Sequence, residues 1–272
     1  MSELGLIHNE NCLATMARMP DGFVDLTVTS PPYDDLRDYN GYQFNVREIA
    51  EALFAKTREG GVVIWVVGDR TVNGSESLTS FEHAFAFRDA GFRVHDTMIY
   101  AKNNPIPSDC GKRYRQAFEY MFCFTKGQPR TFDPITEPTK SAGQKIKAFR
   151  ITGNGRGNVP DEDIGRKIRT ERKVNNIFYY NVGTASATDK LAFQHPAIFP
   201  EKLAEDQIRT WSTAGDIIYD PFTGSGTTLK VAARLGRRWL GSEISEEYVE
   251  LAVKRLELLN EENANSALAR QP

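Results

Sequence analysis

An α/β fold, with a largely parallel sheet covered by helices, is what this amino-acid sequence predicts, and three observations predict it. Strand-like apolar runs alternate with stretches of helical spacing up to about residue 126, and the alternation resumes after residue 190. Within the first of these stretches Val62-Val63-Ile64-Trp65-Val66-Val67 is apolar on both faces, as a central parallel strand has to be.

The first strand is Val24-Asp25-Leu26-Thr27-Val28, stopped at Ser30-Pro31-Pro32 because proline removes a ladder donor. Val46 to Lys56 brings Val46, Ile49, Ala50, Leu53 and Phe54 to one helical face. Gly60-Gly61 is expected to break the chain before the strand 62–67. A helix over Ser80 to Ala90, a stop at Gly91 and a strand from Phe92 to Tyr100 follow, then an aromatic-rich strand from Phe118 to Phe124.

From Gly127 to Lys190 the pattern fails: glycines and basic residues dominate, and only Asn176 to Asn181 reads as a strand. This stretch is expected to be an inserted module or long functional loop. Beyond it, His195 to Trp211 reads as a helix entered through Pro196 and Pro200. Asp216 to Asp220 is a strand, Thr227 to Leu235 a helix, Arg238 to Gly241 a short strand, and Ser245 to Leu259 a closing helix. The residues after Leu259 are expected to form a frayed, flexible tail. The expected organisation is therefore 1–126, the insertion 127–190, 191–258 and the tail 259–272.

A chain of 272 residues buries one sizeable core, or one core plus a modest insertion. No run approaches the ~20 apolar residues of a spanning helix, and Met1 to Pro20 reads as neither signal peptide nor anchor. Cys12, Cys110 and Cys123 are too widely spaced for a zinc site or a disulfide framework, so no metal and a cytoplasmic location are expected.

The net charge of −2 hides an uneven distribution. Lys140, Lys145, Lys147, Arg150, Arg156, Arg166, Lys167, Arg169, Arg172 and Lys173 face only Asp161, Glu162, Asp163 and Glu171 in the same segment. One basic module therefore belongs to an otherwise acidic chain. It is either a solvated loop or a phosphate-contacting surface.

Two loops carry the chemistry. Asp220-Pro221-Phe222-Thr223-Gly224-Ser225-Gly226-Thr227-Thr228 joins a strand to a helix. Glycines there permit a tight turn and close approach of a ligand, and the helix-start amides with the Ser225, Thr227 and Thr228 hydroxyls suit a carboxylate. It is not a P-loop, because Thr227-Thr228 replaces the Lys-Ser/Thr pair, and it lacks the full dinucleotide spacing. Glu243, directly after the next short strand, stands where an acid would grip ribose hydroxyls. A bare structural turn is the alternative.

Ser30-Pro31-Pro32-Tyr33 follows a strand whose end should lie at the ligand-facing edge of the sheet. An exocyclic amino nitrogen is a poor nucleophile because its lone pair is delocalised into the ring. The Ser30 hydroxyl and Pro31 carbonyl can accept hydrogen bonds from its two N–H groups and free that lone pair, in line with a sulfonium methyl. Pro32 helps to stiffen the loop, and Tyr33 offers a stacking face for an extruded base. A rigid loop with a core tyrosine is the bland alternative.

Together these segments resemble the permuted β group of DNA amino-methyltransferases, in which the catalytic loop comes first and the cofactor loop last. Thr29-Ser30-Pro31-Pro32-Tyr33 matches the catalytic motif, and His195-Pro196-Ala197-Ile198-Phe199-Pro200 the motif before the cofactor strand. Asp220 to Thr228 matches the methionine-binding loop, and Gly241-Ser242-Glu243 the ribose-binding acid. Where the family has Gly-Asp before Cys-Leu, this chain has Glu10-Asn11; the Asn11 amide can accept a hydrogen bond beside Cys12.

The resemblance covers residues 5–126 and 191–258. It implies a Rossmann-like methyltransferase fold: a mixed seven-stranded sheet flanked by helices, in circularly permuted order, with an inserted DNA-recognition region. The implied cofactor is S-adenosylmethionine, contacted by Asn11, Cys12, Ser30, His195, Pro196, Phe199, Pro200, the 220–228 loop and Glu243. The implied catalytic residues are Ser30, Pro31, Pro32 and Tyr33, and the implied partner is double-stranded DNA, met by the ten basic residues above. Tyr114, Phe149, Phe178 and Tyr179 are candidates for stacking or core.

The expected reaction is site-specific methylation of adenine N6 or cytosine N4 on a flipped base, in a restriction-modification system or as an orphan methylase. Ser30 leans toward cytosine without excluding adenine. Cytosine C5 methylation is disfavoured, since it needs a thiolate commonly presented after proline, and the cysteines here follow Asn11, Asp109 and Phe122. Methylation of RNA or of a protein amide, and a non-catalytic DNA-binding regulator, stay open. A nicotinamide-dependent oxidoreductase ranks last. A homodimer is also open, with Trp65, Phe85 and Phe87 as core or interface.

Overall fold

The structure, a computed structural model, describes residues 4–32, 44–105, 111–144, 150–152, 155–157, 167–183, 186–195 and 198–268. The first half contains β1 (Leu6–Asn9), α1 (Cys12–Arg18), β2 (Val24–Thr29), α2 (Val46–Lys56), β3 (Thr57–Val67), β4 (Thr71–Val72), β5 (Ser75–Glu76), α3 (Thr79–Asp89), β6 (Arg93–Lys102) and β7 (Phe118–Thr125). Short strands follow: β8 (Thr136–Pro138), β9 (Arg150–Thr152), β10 (Gly155–Gly157), β11 (Glu171–Lys173) and β12 (Ile177–Tyr180). A 3-10 turn at Lys190–Gln194 leads to α4 (Glu201–Trp211), β13 (Ile217–Asp220), α5 (Thr227–Arg234), β14 (Arg238–Glu243) and α6 (Glu246–Leu268).

The main sheet has the order β1-β14-β13-β2-β3-β7-β6-β12. The first five strands run parallel, β7 is antiparallel to β3 and β6, and β12 joins β6 in parallel. The α/β expectation holds, with one strand more than the seven expected, because Ile177–Tyr180 extends the sheet edge at β6.

Strand alternation splits the core in two. Val63, Trp65 and Val67 of β3 pack with Met16 of α1, Ile49 and Leu53 of α2 and Phe87 of α3. Val62, Ile64 and Val66 point the other way, into Leu203 and Ile208 of α4 and Val231 and Ala232 of α5. A strand apolar on both faces is thus covered on both faces. Trp65 is fully buried, lies 4.6 Å from Phe87 and donates its indole N–H to His83 Nδ1 at 3.1 Å. Truncating such a ring costs about 3–5 kcal/mol.

Three local expectations change. Gly60-Gly61 does not end a strand: β3 begins at Thr57 and absorbs the pair in a register irregularity against β2, where Val24 pairs with Thr57 and Leu26 with Val62. The Gly60 N–H then donates to the Lys126 carbonyl at 2.6 Å, so the ladder continues through the irregularity. His195 does not begin α4, which starts at Glu201 with Pro200 at its N-cap; prolines lack the donor that a continuous helix would need. α6 continues through Leu268, past the Leu259 end expected from the sequence. β1 and α1, which no sequence pattern marked, form a parallel edge strand beside β14 and a helix N-capped by Asn11.

By compactness the chain divides into Met1–Asp133 with Asn176–Pro272, and Pro134–Asn175. In the second unit β8 pairs antiparallel with β11 and β9 with β10.

Candidate active site

Open parallel sheets bind ligands at the carboxyl ends of their strands, where successive connections depart to opposite sides. That point lies between β13 and β2: β13 leads through α5 to β14 on one side, and β2 through α2 to β3 on the other. Both candidate loops leave the sheet there. Thr29 Oγ1 donates to Asp220 Oδ1 at 2.7 Å, and Thr228 Oγ1 donates to the Val28 carbonyl at 3.1 Å. Ser30 is therefore covalently adjacent to a residue bonded into the glycine loop. Ser30 and Pro32 are half-buried, Pro31 is buried, and Tyr33 lies outside the described residues.

Glu243 ends β14 in the next strand position. Its Oε2 accepts the Gly224 N–H at 2.8 Å and its Oε1 the Ser245 N–H at 3.0 Å. A carboxylate offers about four lone-pair sites, which leaves capacity for two hydroxyls of a ribose. Burial pushes the Glu243 carboxyl above the usual carboxylate range, against the pull of those amides. Asp220, also buried, is pushed up to about 6 by burial, with the charge of Glu243 adding to the rise.

The loop is a cradle in which added carbon does not fit. Gly224 has φ +50, and a Cβ there would come within 3.1 Å of His195 Nε2. Gly226 has φ +79, and its Cβ would stand 2.7 Å from Ala252 Cβ. Both backbones are left-handed, a region open chiefly to glycine. A buried acid at the end of β14, a left-handed glycine loop at a helix start and a half-buried Phe222 fit an adenosyl group carrying an amino-acid tail. Phe222 lies 5.9 Å from Trp65 and 5.7 Å from Phe44, which itself lies 5.4 Å from His83.

Other candidates fall into different surroundings. Asn11 Oδ1 caps α1 by accepting the Leu13 N–H at 2.8 Å. Cys12 is buried, and burial pushes its thiol up to about 12; Cys123 is buried and pushed up likewise. Neither offers a thiolate at neutral pH, in keeping with the exclusion of C5 chemistry. His195 is buried with its ring 4.4 Å from Tyr248. Phe199 packs against the core on the α4 and α5 side, and Pro200 is buried at the start of α4. Pro196 lies outside the described residues.

The Ser225 and Thr227 hydroxyl oxygens, expected to suit a carboxylate, accept from Arg255 Nη1 at 3.2 and 3.0 Å, which leaves each O–H as a donor. Arg255 is fully buried and was missed by sequence reasoning, as were its partners Asp189 and Glu201. A signal existed: Arg255 shares the helical face of Leu251, Ala252, Leu256 and Leu259, all buried.

Of the basic residues, Lys140, Lys167, Arg169, Arg172 and Lys173 are exposed. Arg172 pairs with Glu137 at 2.7 Å across the β8–β11 ladder. Arg150 and Arg156 lie on β9 and β10; Lys145, Lys147 and Arg166 lie outside the described residues, as does Phe149. Tyr114 and Tyr179 are exposed, while Phe178 is half-buried and stacked beside Tyr180. No group of His, Cys, Asp and Glu suited to a metal occurs among the described residues, and no described helix is long and apolar enough to cross a membrane.

Comparison with known proteins agrees with this geometry. The DNA methylase family model, of N6 and N4 type, matches residues 24–254. The orphan methyltransferase M.BamHII of Bacillus amyloliquefaciens is 50% identical over 246 residues, 87% of this chain and 89% of the relative. The type II methyltransferase M.BglII of Bacillus subtilis is 28% identical over 272 residues, 96% of this chain and 71% of the relative. Among solved structures, TTHA0409 of Thermus thermophilus, complexed with S-adenosyl-L-methionine, aligns with a TM-score of 0.63 at 27% identity, over 93% of both chains. The cytosine-N4-specific PvuII DNA methyltransferase shares the fold, with a TM-score of 0.67 at 20% identity, over 96% of this chain and 92% of that one. This chain belongs to the N6/N4 DNA methylase family and is a DNA methyltransferase that uses S-adenosylmethionine.

Proposed function

We propose that the enzyme methylates an exocyclic amino group, adenine N6 or cytosine N4, of a base flipped out of duplex DNA at a specific site. The observation that carries this reading is the bonding of the catalytic strand to the cofactor loop, Thr29 Oγ1 to Asp220 Oδ1 at 2.7 Å. It supports Ser30 and Pro31 as neighbours of the methyl donor. The Ser30 hydroxyl and Pro31 carbonyl accept the two amino N–H groups, Pro32 restricts the loop, and Tyr33 stacks on the extruded base. Glu243 holds the ribose hydroxyls, Gly224 to Thr228 the amino-acid tail, and Phe222 the adenine side. S-adenosylmethionine supplies an electrophilic sulfonium methyl when bound. Taking the base out of the stack is what gives a loop at a sheet edge access to an amino group otherwise paired inside the duplex.

The basic segment Lys140 to Lys173 is proposed to meet phosphates and base edges. A homodimer belongs to the same reading: Phe87 and Trp65 are core, but Leu78, Phe81 and Phe85 lie exposed along one side of α3, and light scattering on the eluting protein tests it.

The deciding experiment gives the enzyme labelled S-adenosylmethionine with duplex DNA, RNA and protein, then sequences modified DNA at single-molecule resolution. N6-methyladenine or N4-methylcytosine at one recurring site is the expected product. Label in RNA or protein alone would sink the reading. Ser30→Ala and Tyr33→Ala should each suppress transfer by at least ~100-fold, with cofactor affinity nearly intact in Tyr33→Ala; unchanged turnover in both would refute their roles.

A further inference from the structure

A four-charge cluster lies where α4, α5, α6 and the segment before the 3-10 turn meet. Arg255 Nε donates to Asp189 Oδ1 and Oδ2 at 3.1 and 3.0 Å, and Nη2 donates to Glu201 Oε1 at 3.0 Å. Lys230 Nζ reaches Thr188 Oγ1 at 2.9 Å, Asp189 Oδ2 at 2.6 Å and Glu201 Oε1 at 3.0 Å. Two cations thus meet two acids, with Arg234 farther off at 3.8 Å from Glu201. Burial opposes ionisation of Asp189, but Lys230 and Arg255 outweigh it and hold the carboxyl below its usual range.

The third arm of Arg255 leaves the cluster for the cofactor loop. Nη1 donates to the Ser225 carbonyl at 2.6 Å, to Ser225 Oγ at 3.2 Å and to Thr227 Oγ1 at 3.0 Å. Ser225 and Thr227 straddle Gly226, a left-handed residue of the loop. Glycine lets a ligand approach the main chain, but it also gives the loop more conformational freedom than any other residue would. A planar guanidinium spreads five N–H donors over three nitrogens and so reaches both acids and both flanks at once; a single ammonium nitrogen has three donors at one point.

We propose that Arg255 is a positioning residue, which preorganises the loop Thr223–Thr228 for cofactor through Ser225 and Thr227 while Asp189, Glu201 and Lys230 fix the guanidinium. The proposal rests on the reading of that loop as the methionine-binding loop. A buried ion cluster is weak as a device for stability alone, since apolar packing would serve as well. Three hydrogen bonds aimed at the flanks of one glycine serve affinity by lowering the ordering cost of binding.

The test measures S-adenosylhomocysteine binding by calorimetry for wild type, Arg255→Lys, Thr227→Val and the double variant. In parallel, amide exchange is followed across Thr223–Thr228 in the cofactor-free proteins. Arg255→Lys, which keeps the charge, should bind roughly tenfold or more weakly. Its KM for S-adenosylmethionine should rise, with kcat at saturation largely kept. Loop amides should exchange faster in both single variants, and the double should be weaker than either single but by less than the sum of the two losses, because both cut the Arg255–Thr227 link. A folded Arg255→Lys with wild-type affinity and exchange overturns the proposal, as do additive effects. If Arg255→Lys fails to fold, Thr227→Val, which leaves all four charges paired, decides through loop exchange alone, and unchanged exchange overturns the proposal. Absence of binding by wild type would instead refute the cofactor loop itself.

Discussion

The loop Asp220–Thr228 and the unit Pro134–Asn175 are built by opposite means. The loop is largely buried and tied to distant parts of the chain: the Asp220 side chain to Thr29, Thr228 to the Val28 carbonyl, the Gly224 N–H to Glu243, and Ser225 to Arg255. In the unit the described strands are three residues long, pair with one another, and carry exposed Lys140, Lys167, Arg169 and Lys173 on and beside them. A site for an invariant small molecule can be set rigidly into the sheet, whereas exposed side chains on short ladders, as the proposed DNA-contacting surface would require, can vary without disturbing a core.

If the loop is set rigidly, the smallest added group should break it. Gly226→Ala places a methyl 2.7 Å from Ala252 Cβ at φ +79, so it adds both a clash against α6 and left-handed strain. We expect a stability loss of about 2–5 kcal/mol, read by thermal unfolding, and loss of detectable S-adenosylhomocysteine binding in calorimetry. Wild-type affinity in this variant would show that the loop is adaptable and dissolve the contrast.

Asp220 gives a second, smaller effect. Burial raises its folded-state carboxyl to about 6, whereas an unfolded aspartate titrates near ~4. Between these values the folded protein binds the proton more tightly, so stability falls as pH rises from about 4 to about 6 and stays lowered above. The cost is on the order of 3 kcal/mol. Asp220→Asn keeps an acceptor for Thr29 Oγ1 and the Phe222 N–H but cannot titrate. Its unfolding midpoint should therefore decline less than that of wild type between about pH 4 and 6. Parallel declines would mean that Asp220 stays ionised throughout.

The same contrast explains what was legible in the sequence. The continuous apolar run of Val62 to Val67, the amphipathic face of Val46 to Lys56 and the glycine pair at 224 and 226 are local patterns, and each corresponds to the observed element. Gly60-Gly61 misleads because a glycine pair permits a register irregularity within a strand as readily as an end. His195 to Trp211 reads in the sequence as one helix, but α4 begins only at Glu201, with Pro200 as its N-cap. Arg255 is legible only as a charge on the apolar face of α6; its cluster is not, because the partners at 189, 201, 225 and 230 are brought together by packing. In the basic unit, charge pattern marks the region but not the pairing of Arg172 with Glu137, which comes from strand register.

The gentlest perturbation tests the other side of the comparison. Replacing Arg166, Lys167 and Arg169 together by alanine removes charges from the basic unit; Lys167 and Arg169 are exposed. Surface changes of this kind move stability by no more than about 0.5 kcal/mol each, so the unfolding midpoint should barely shift. Cofactor affinity should not change, because none of the described hydrogen bonds that hold the 220–228 loop involves these residues. DNA affinity should fall at low salt, and the slope of log affinity against log salt should become shallower by up to about 3, roughly 0.9 for each phosphate no longer neutralised. An unchanged slope would make the basic run a solvated surface and move target recognition elsewhere in the chain. A matching fall in cofactor affinity would show instead that the two regions, built so differently, are energetically coupled.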